Sequence, residues 1–201
     1  FNLDIEVNKC TAIIGPNGCG KSTLLNLVSG SLPVDQGQII LNGEDITSLP
    51  EEKRALNLGR VHQSPSMGVS PSLTILENLS LANKKGESFS LRSLVKKKNL
   101  EMFVSMLRDL DLGLEDKLHT QVKYLSGGQR QSLSLIMAAM KHPDLLLLDE
   151  HTAALDPKTA DKIMQLTYDM ISEKELTALM VTHNLRDALT YGNRLIMLHQ
   201  G

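Results

Sequence analysis

The sequence predicts an α/β fold: a mostly parallel sheet, an inserted helical subdomain and a small β portion near the N-terminus. Three observations carry this. Short apolar runs alternate with helical stretches over residues 1–63 and again over 141–201, the pattern of strand–helix–strand units. Between them, residues 64–140 read as almost wholly helical. Residues 145–148 are apolar at every position, as a central strand covered on both faces must be.

Taken in order, residues 11–14 form the first strand, followed by a glycine-rich turn and a helix from 21 to about 29. Residues 38–41 are a short strand closed by the turn pair Asn42-Gly43. Residues 58–61 are the next strand. In the inserted stretch, helices are expected over 74–82, from about 92 to 110, and over 128–140, with a polar loop at 84–90. Lys96-Lys97-Lys98 is placed on a solvated helix face. Asp156-Pro157 reads as an N-cap and first-turn proline, with Ile163, Leu166 and Met170 at helical spacing behind it. Residues 177–182 and 194–199 are the last strands. The expected organisation is one domain, with 1–63 and 141–201 as the α/β core and 64–140 as the helical subdomain.

Composition narrows the function classes. A formal net charge of −2 argues against nucleic acid or anionic lipid as partner. No apolar run approaches the roughly 20 residues that span a bilayer, and the first residues carry no basic leader. Cys10 and Cys19 do not make a disulfide framework.

Gly15-Pro16-Asn17-Gly18-Cys19-Gly20-Lys21-Ser22 fits G-x-x-x-x-G-K-[ST] between a predicted strand and a predicted helix that continues into Thr23. Glycines let backbone N–H groups curl around phosphate oxygens, and the helix N-terminus adds partial positive charge. Lys21 suits the β- and γ-phosphates, and the Ser22 hydroxyl suits Mg²⁺. A chance match at this length occurs in on the order of one chain in a hundred, and the strand–loop–helix setting sets that reading aside. The loop surrounds Cys19 with N–H groups and Lys21, so a reactive thiolate shielded by nucleotide is expected there.

Asp149 and Glu150 follow the apolar strand at its C-terminal end, where open α/β sheets bind ligands. Asp149 would hold Mg²⁺ through its waters, and Glu150 would orient or deprotonate an attacking water. Ser126-Gly127-Gly128-Gln129 opens a helix and makes a second anion-binding N-terminus, which a single phosphate-loop site does not need.

Together these residues resemble the ABC ATPase family, a P-loop NTPase fold with a RecA-like core, over the whole chain. Residues 15–22 match its Walker A motif, 145–149 its Walker B motif, and 125–129 its signature. Gln63 falls at the Q-loop, Asp156 in the D-loop, and His183 at the switch histidine. The resemblance implies an Mg-dependent ATPase working as a head-to-tail homodimer, in which Ser126, Gly127, Gly128 and Gln129 touch the ATP held by the partner. It implies Gln63, with Ser22 and Asp149, at Mg²⁺, and His183 on the γ-phosphate beside the catalytic Glu150. It further implies transmembrane permease subunits as partners, contacted by Gln63 and by Met67, Val69 and Leu73. An extracytoplasmic solute-binding protein and a place at the cytoplasmic face of the cell membrane are implied with them.

A narrower likeness, carried by residues 149–160 and 192–199, is to ATPase components of bacterial importers for tryptophan, tyrosine or related small solutes. The chain departs from the family in two ways. His151 stands where the family has proline, and is read as a structural variant. The phosphate loop begins at residue 15, so the aromatic residue that stacks on adenine, about two dozen positions earlier, would lie outside this sequence, which is expected to be a segment of a longer chain. Soluble ABC-type ATPases of translation or DNA repair are the alternative. Their long coiled-coil insertions do not fit between Gln63 and Ser126. A guanine-reading Asn-Lys-x-Asp segment is absent, which sets GTPases aside.

Overall fold

The computed structural model describes residues 2–87 and 94–199. Five parallel strands form the main sheet in the order β4-β5-β6-β1-β7, with β1 Cys10–Ile14, β4 Leu58–Val61, β5 Leu145–Asp149, β6 Ala178–Val181 and β7 Arg194–Met197. Side chains alternate across a strand, and the apolar run of β5 divides accordingly. Leu146 and Leu148 pack with Ala12, Leu135, Met164 and Ala188 on one face, and Leu145 and Leu147 pack with Ile13, Leu25 and Leu179 on the other. Helices cover both faces, and in β5 the one polar residue, Asp149, stands at the strand's end. The N-terminal β portion is a hairpin of β2 Ile40–Leu41 and β3 Glu44–Asp45, turned by Asn42 and Gly43 at φ 50° and 82°.

The first face is packed by α5 Gly127–Ala139, α6 Pro157–Glu173 and α7 Leu185–Tyr191; the second by α1 Lys21–Ser29. Arg54, in the short α2 Glu51–Arg54, is buried beneath the end of α1. Its guanidinium donates to the carbonyls of Leu27 and Val28 at 2.6 and 3.0 Å, satisfying acceptors that a helix end leaves open. Neither α2 nor α7 was expected from the sequence.

A separate apolar cluster joins α3 Ile75–Asn83, α4 Leu100–Arg108 and α5 through Leu79, Phe103, Leu107, Leu133 and Ile136. α5 belongs to both cores, because Leu135 and Ala139 face the sheet. α3 starts on a capping box between Thr74 and Glu77. The helix expected from Arg92 differs. Arg92 and the tail of the 84–90 loop lie outside the described residues. Residues 94–96 are not helical, Lys97–Asn99 is a 3₁₀ turn, and α4 runs only to Arg108. Three consecutive ammonium groups oppose the positive end of a helix dipole, so α4 begins after them, with Glu101 in its first turn. Lys96 pairs instead with Glu87 at 3.6 Å.

Gly59 seats β4 against α5. A Cβ there would come within 2.5 Å of the Ala138 carbonyl oxygen and 2.9 Å of Leu146 Cδ1. Gly59→Ala is expected to lower stability by about 1–3 kcal/mol through overpacking, read as a lower urea midpoint at unchanged slope. An unchanged midpoint would mean that α5 does not press on this strand.

Candidate functional site

In a parallel sheet every strand ends on the same edge. β1, β4, β5 and β6 therefore deliver the phosphate loop, His62-Gln63, Asp149-Glu150 and Thr182-His183 to one end of the molecule. Asp149 closes β5 and pairs in register with Val181 of β6, and the backbone N–H of Glu150 donates to the Val181 carbonyl at 3.0 Å.

The loop uses its glycines. Gly18 and Gly20 sit at φ 80° and 100°, a region that costs other residues roughly 1–2 kcal/mol. Gly20 is also the N-cap of α1 and offers no capping side chain, so the first N–H groups of that helix stay open to an anion. Pro16, Asn17, Gly18, Ser22 and Thr23 are exposed. Lys21 is buried, and its ammonium donates to the carbonyls of Gly15 and Pro16 at 2.9 and 3.1 Å.

Cys19 corrects the sequence-based expectation. Its side chain turns inward against Ile13, Leu25 and Leu198, because the loop's tight curl at the flanking glycines, Gly18 and Gly20, points it to the core. It does not present a thiol to solvent. Burial also pushes the Cys10 thiol up to about 12.

Two groups of side chains converge. Ser22 Oγ donates to Asp149 Oδ1 at 3.2 Å. Glu150 Oε2 accepts from Gln63 Nε2 at 3.4 Å and lies 3.6 Å from His183 Nδ1. Glu150 holds φ 43°, a left-handed conformation that stores on the order of 1–3 kcal/mol in a non-glycine residue. The fold thus fixes a carboxylate at the edge of the loop against local preference. The hydroxyl of Ser22, the carboxylate of Asp149 and the amide of Gln63 are hard oxygen donors. They fit Mg²⁺, which takes one or two carboxylates, keeps several waters and completes its shell with substrate phosphates.

Ser126 and Gln129 form a capping box on α5, with Gln129 N–H donating to Ser126 Oγ at 3.2 Å and Ser126 N–H to Gln129 Oε1 at 3.1 Å. Gln129 Nε2 reaches the Leu112 carbonyl at 3.2 Å. A Cβ on Gly127 would make only an ordinary contact with Leu155 at 3.4 Å, whereas one on Gly128 would strike Thr159, so Gly128 admits the first turn of α6. Asp156 caps α6 by accepting from Thr159 N–H at 3.1 Å. Its hydrogen bonds to Thr159 hold its carboxyl below the usual range. Among the described residues no hydrogen bond joins residues 126–129 to the loop 15–22.

Met67 is 67% exposed, whereas Val69 packs on the helical core and Leu73 is half-buried. The expectation of an outward-facing trio therefore reduces to Met67. His151 is buried and bonds Thr167 Oγ1 through Nε2 at 3.0 Å. The Thr167 hydroxyl already donates to the Ile163 carbonyl, so the imidazole donates and Thr167 accepts. Burial pushes the imidazole down to about 4, and His151 is a neutral staple between β5 and α6. Arg60 went unnoticed in the sequence, although a lone cation inside an apolar strand is a visible signal. Its guanidinium lies 3.6 Å from Asp149.

The family model described as "ABC transporter" matches residues 1–153. The chain is 52% identical over 203 residues to the tyrosine transport ATP-binding protein of Clostridioides difficile (strain R20291), covering all of this chain and 80% of that protein. It is 37% identical over 202 residues to the spermidine/putrescine import ATP-binding protein PotA of Haemophilus influenzae, and spans about half (51%) of that relative's length. Among solved structures it resembles the dimeric post-hydrolysis state of the ATP-binding cassette MJ0796 bound to ADP and Pi, at a TM-score of 0.82 and 30% identity, covering 100% of this chain and 85% of that one.

Proposed function

The chain belongs to the ABC transporter family, as an ATP-binding and ATP-hydrolysing subunit that energises a membrane transporter, and from that premise we propose that it drives a bacterial importer of a tyrosine-like small solute. The likeness to a tyrosine transport ATP-binding protein supports the solute class. The observation that carries the site assignment is the convergence of Gln63 and His183 on Glu150, next to the Ser22–Asp149 pair.

In this reading the loop N–H groups and Lys21 bind the β- and γ-phosphates of ATP. Ser22, Gln63 and the waters held by Asp149 take Mg²⁺, which would neutralise charge building on the phosphate oxygens. Glu150 orients the attacking water and accepts its proton as the bond from the γ-phosphorus to the leaving ADP oxygen breaks. His183 steadies the γ-phosphate and keeps Glu150 in place. Ser126, Gly127, Gly128 and Gln129 serve the ATP of a second copy in a head-to-tail homodimer, with Asp156 setting the turn beside them.

Permease subunits, and outside the membrane a solute-binding protein, complete the system, with this chain at the cytoplasmic face. No helix among the described residues is long and apolar enough to cross a membrane. Met67, exposed four residues after Gln63, is the proposed permease contact. Met67→Glu buries a charge in that interface. Co-expressed with the permease subunits and purified in detergent, the variant is expected to lose co-purification and solute-stimulated turnover while keeping the basal ATPase rate of the isolated subunit. Co-purification at the wild-type level would remove Met67 from the contact. Tyrosine uptake unaffected by deletion of this subunit would overturn the solute class.

A further inference from the structure

Register explains why Arg60 meets Asp149. Arg60 of β4 pairs with Leu147 of β5, and paired residues in neighbouring strands point to the same face. Asp149, two residues after Leu147, shares that face, which α1 covers. An arginine at this position must therefore enter the space between the sheet and the phosphate-loop helix. Its ends are accounted for there. Nη2 donates to Asn26 Oδ1 at 2.7 Å and lies 3.6 Å from Asp149 Oδ2. Nη1 donates to Ser29 Oγ at 3.0 Å and Ser31 Oγ at 3.4 Å. The side chains of Arg60 and Asp149 are 17% and 14% exposed.

Stability alone does not explain this cation. Nε is buried without a hydrogen-bond partner, which counts against the fold, and a buried ion pair is weak support for a fold compared with well-packed apolar side chains. What the guanidinium adds is a rigid fork, with Nη1 on Ser29 of α1 and Nη2 between Asn26 of α1 and a single oxygen of Asp149. The two carboxylate oxygens are thereby divided: Oδ2 faces Arg60 and Oδ1 faces Ser22.

We propose that Arg60 is a positioning residue for Mg²⁺, its fork holding Asp149 Oδ2 against Asn26 of the phosphate-loop helix so that Oδ1 stays turned to Ser22 and the ion. The proposal rests on the reading of Ser22 and Asp149 as the Mg²⁺ side of the site. Outer-shell partners that orient a metal-binding carboxylate are typically worth about 10–100-fold in metal affinity. Arg60 belongs to that class, acting on the ion only through Asp149.

The test measures binding of a fluorescent ATP, mant-ATP, to the full chain in EDTA and in saturating Mg²⁺. The ratio of the two dissociation constants is the Mg²⁺ gain. Asp149→Asn tests the underlying reading and is expected to remove most of the gain. Arg60→Met is expected to cut the gain by about tenfold while leaving affinity in EDTA near that of the wild type. Should Arg60→Met not fold, Asn26→Leu removes the fork's second anchor with every charge in place, and a smaller loss of gain is expected. A full gain in Asp149→Asn, or no gain in the wild type, defeats the Mg²⁺ reading and the proposal with it. Loss of gain in Asp149→Asn but not in Arg60→Met or Asn26→Leu overturns the proposal alone. Equal weakening of binding in EDTA and in Mg²⁺ would make Arg60 a structural brace, and also overturns it.

Discussion

Glu150→Gln is expected to lower steady-state ATP turnover by about 10²–10⁴-fold while ATP binding persists, the range for losing a positioned general base. Glutamine has the same length and keeps one carbonyl oxygen, so Gln63 Nε2, 3.4 Å from Glu150 Oε2, retains an acceptor. The backbone bond from residue 150 to Val181 is unchanged by the substitution, and it anchors the left-handed turn at φ 43°. What disappears is a group that can take the water's proton. With binding intact and hydrolysis stopped, an ATP-bound dimer should accumulate, seen as a shift to the dimer volume in size exclusion with Mg-ATP. Turnover within a few-fold of wild type would remove Glu150 from the chemistry. Loss of ATP binding would mean that the carboxylate serves the nucleotide rather than the water.

Much of this site was legible because its parts are local in sequence. The phosphate loop, the acidic pair and the signature each occupy a few consecutive residues whose types follow from one physical demand, and parallel strands bring the first two to one edge. Side-chain direction was less legible. Cys19 lies within the phosphate loop yet points to the core, because the curl of the backbone, not the motif, decides where each side chain goes. Val69 and Met67 are near neighbours with opposite surroundings for the same reason. Arg60 and Arg54 were missed because their partners are remote in sequence. Arg60 finds Asn26 and Asp149 only once β4 is laid beside β5 in register, and Arg54 finds the end of α1 only once α2 folds beneath it. The late start of α4 reflects charge repulsion at Lys96-Lys97-Lys98, where apolar spacing favoured an earlier one.

The signature poses the remaining geometric question, because residues 126–129 bond to their own helix and to Leu112, and not to the phosphate loop 15–22. If each ATP is held by Lys21 of one copy and Ser126 of the other, defects at the two positions should complement. Lys21→Ala removes the ammonium that turns on the loop carbonyls. Ser126→Arg breaks the capping box and crowds the N-terminus of α5. Each homodimer carries two damaged sites. In a mixed dimer one site collects both defects, and the other receives an intact Lys21 from the Ser126→Arg copy and an intact Ser126 from the Lys21→Ala copy. Differently tagged variants, co-expressed and purified through both tags, should therefore regain ATP hydrolysis that neither has alone. Obligatory firing of both sites together would suppress that recovery, so binding is the cleaner measurement. With Glu150→Gln added to the Ser126→Arg copy, the intact site binds ATP and cannot turn it over, and one trapped nucleotide per mixed dimer is expected. Two trapped, or none in dimers of confirmed composition, would rule out a site shared between copies, because a site built within one chain has no way to exchange its defects.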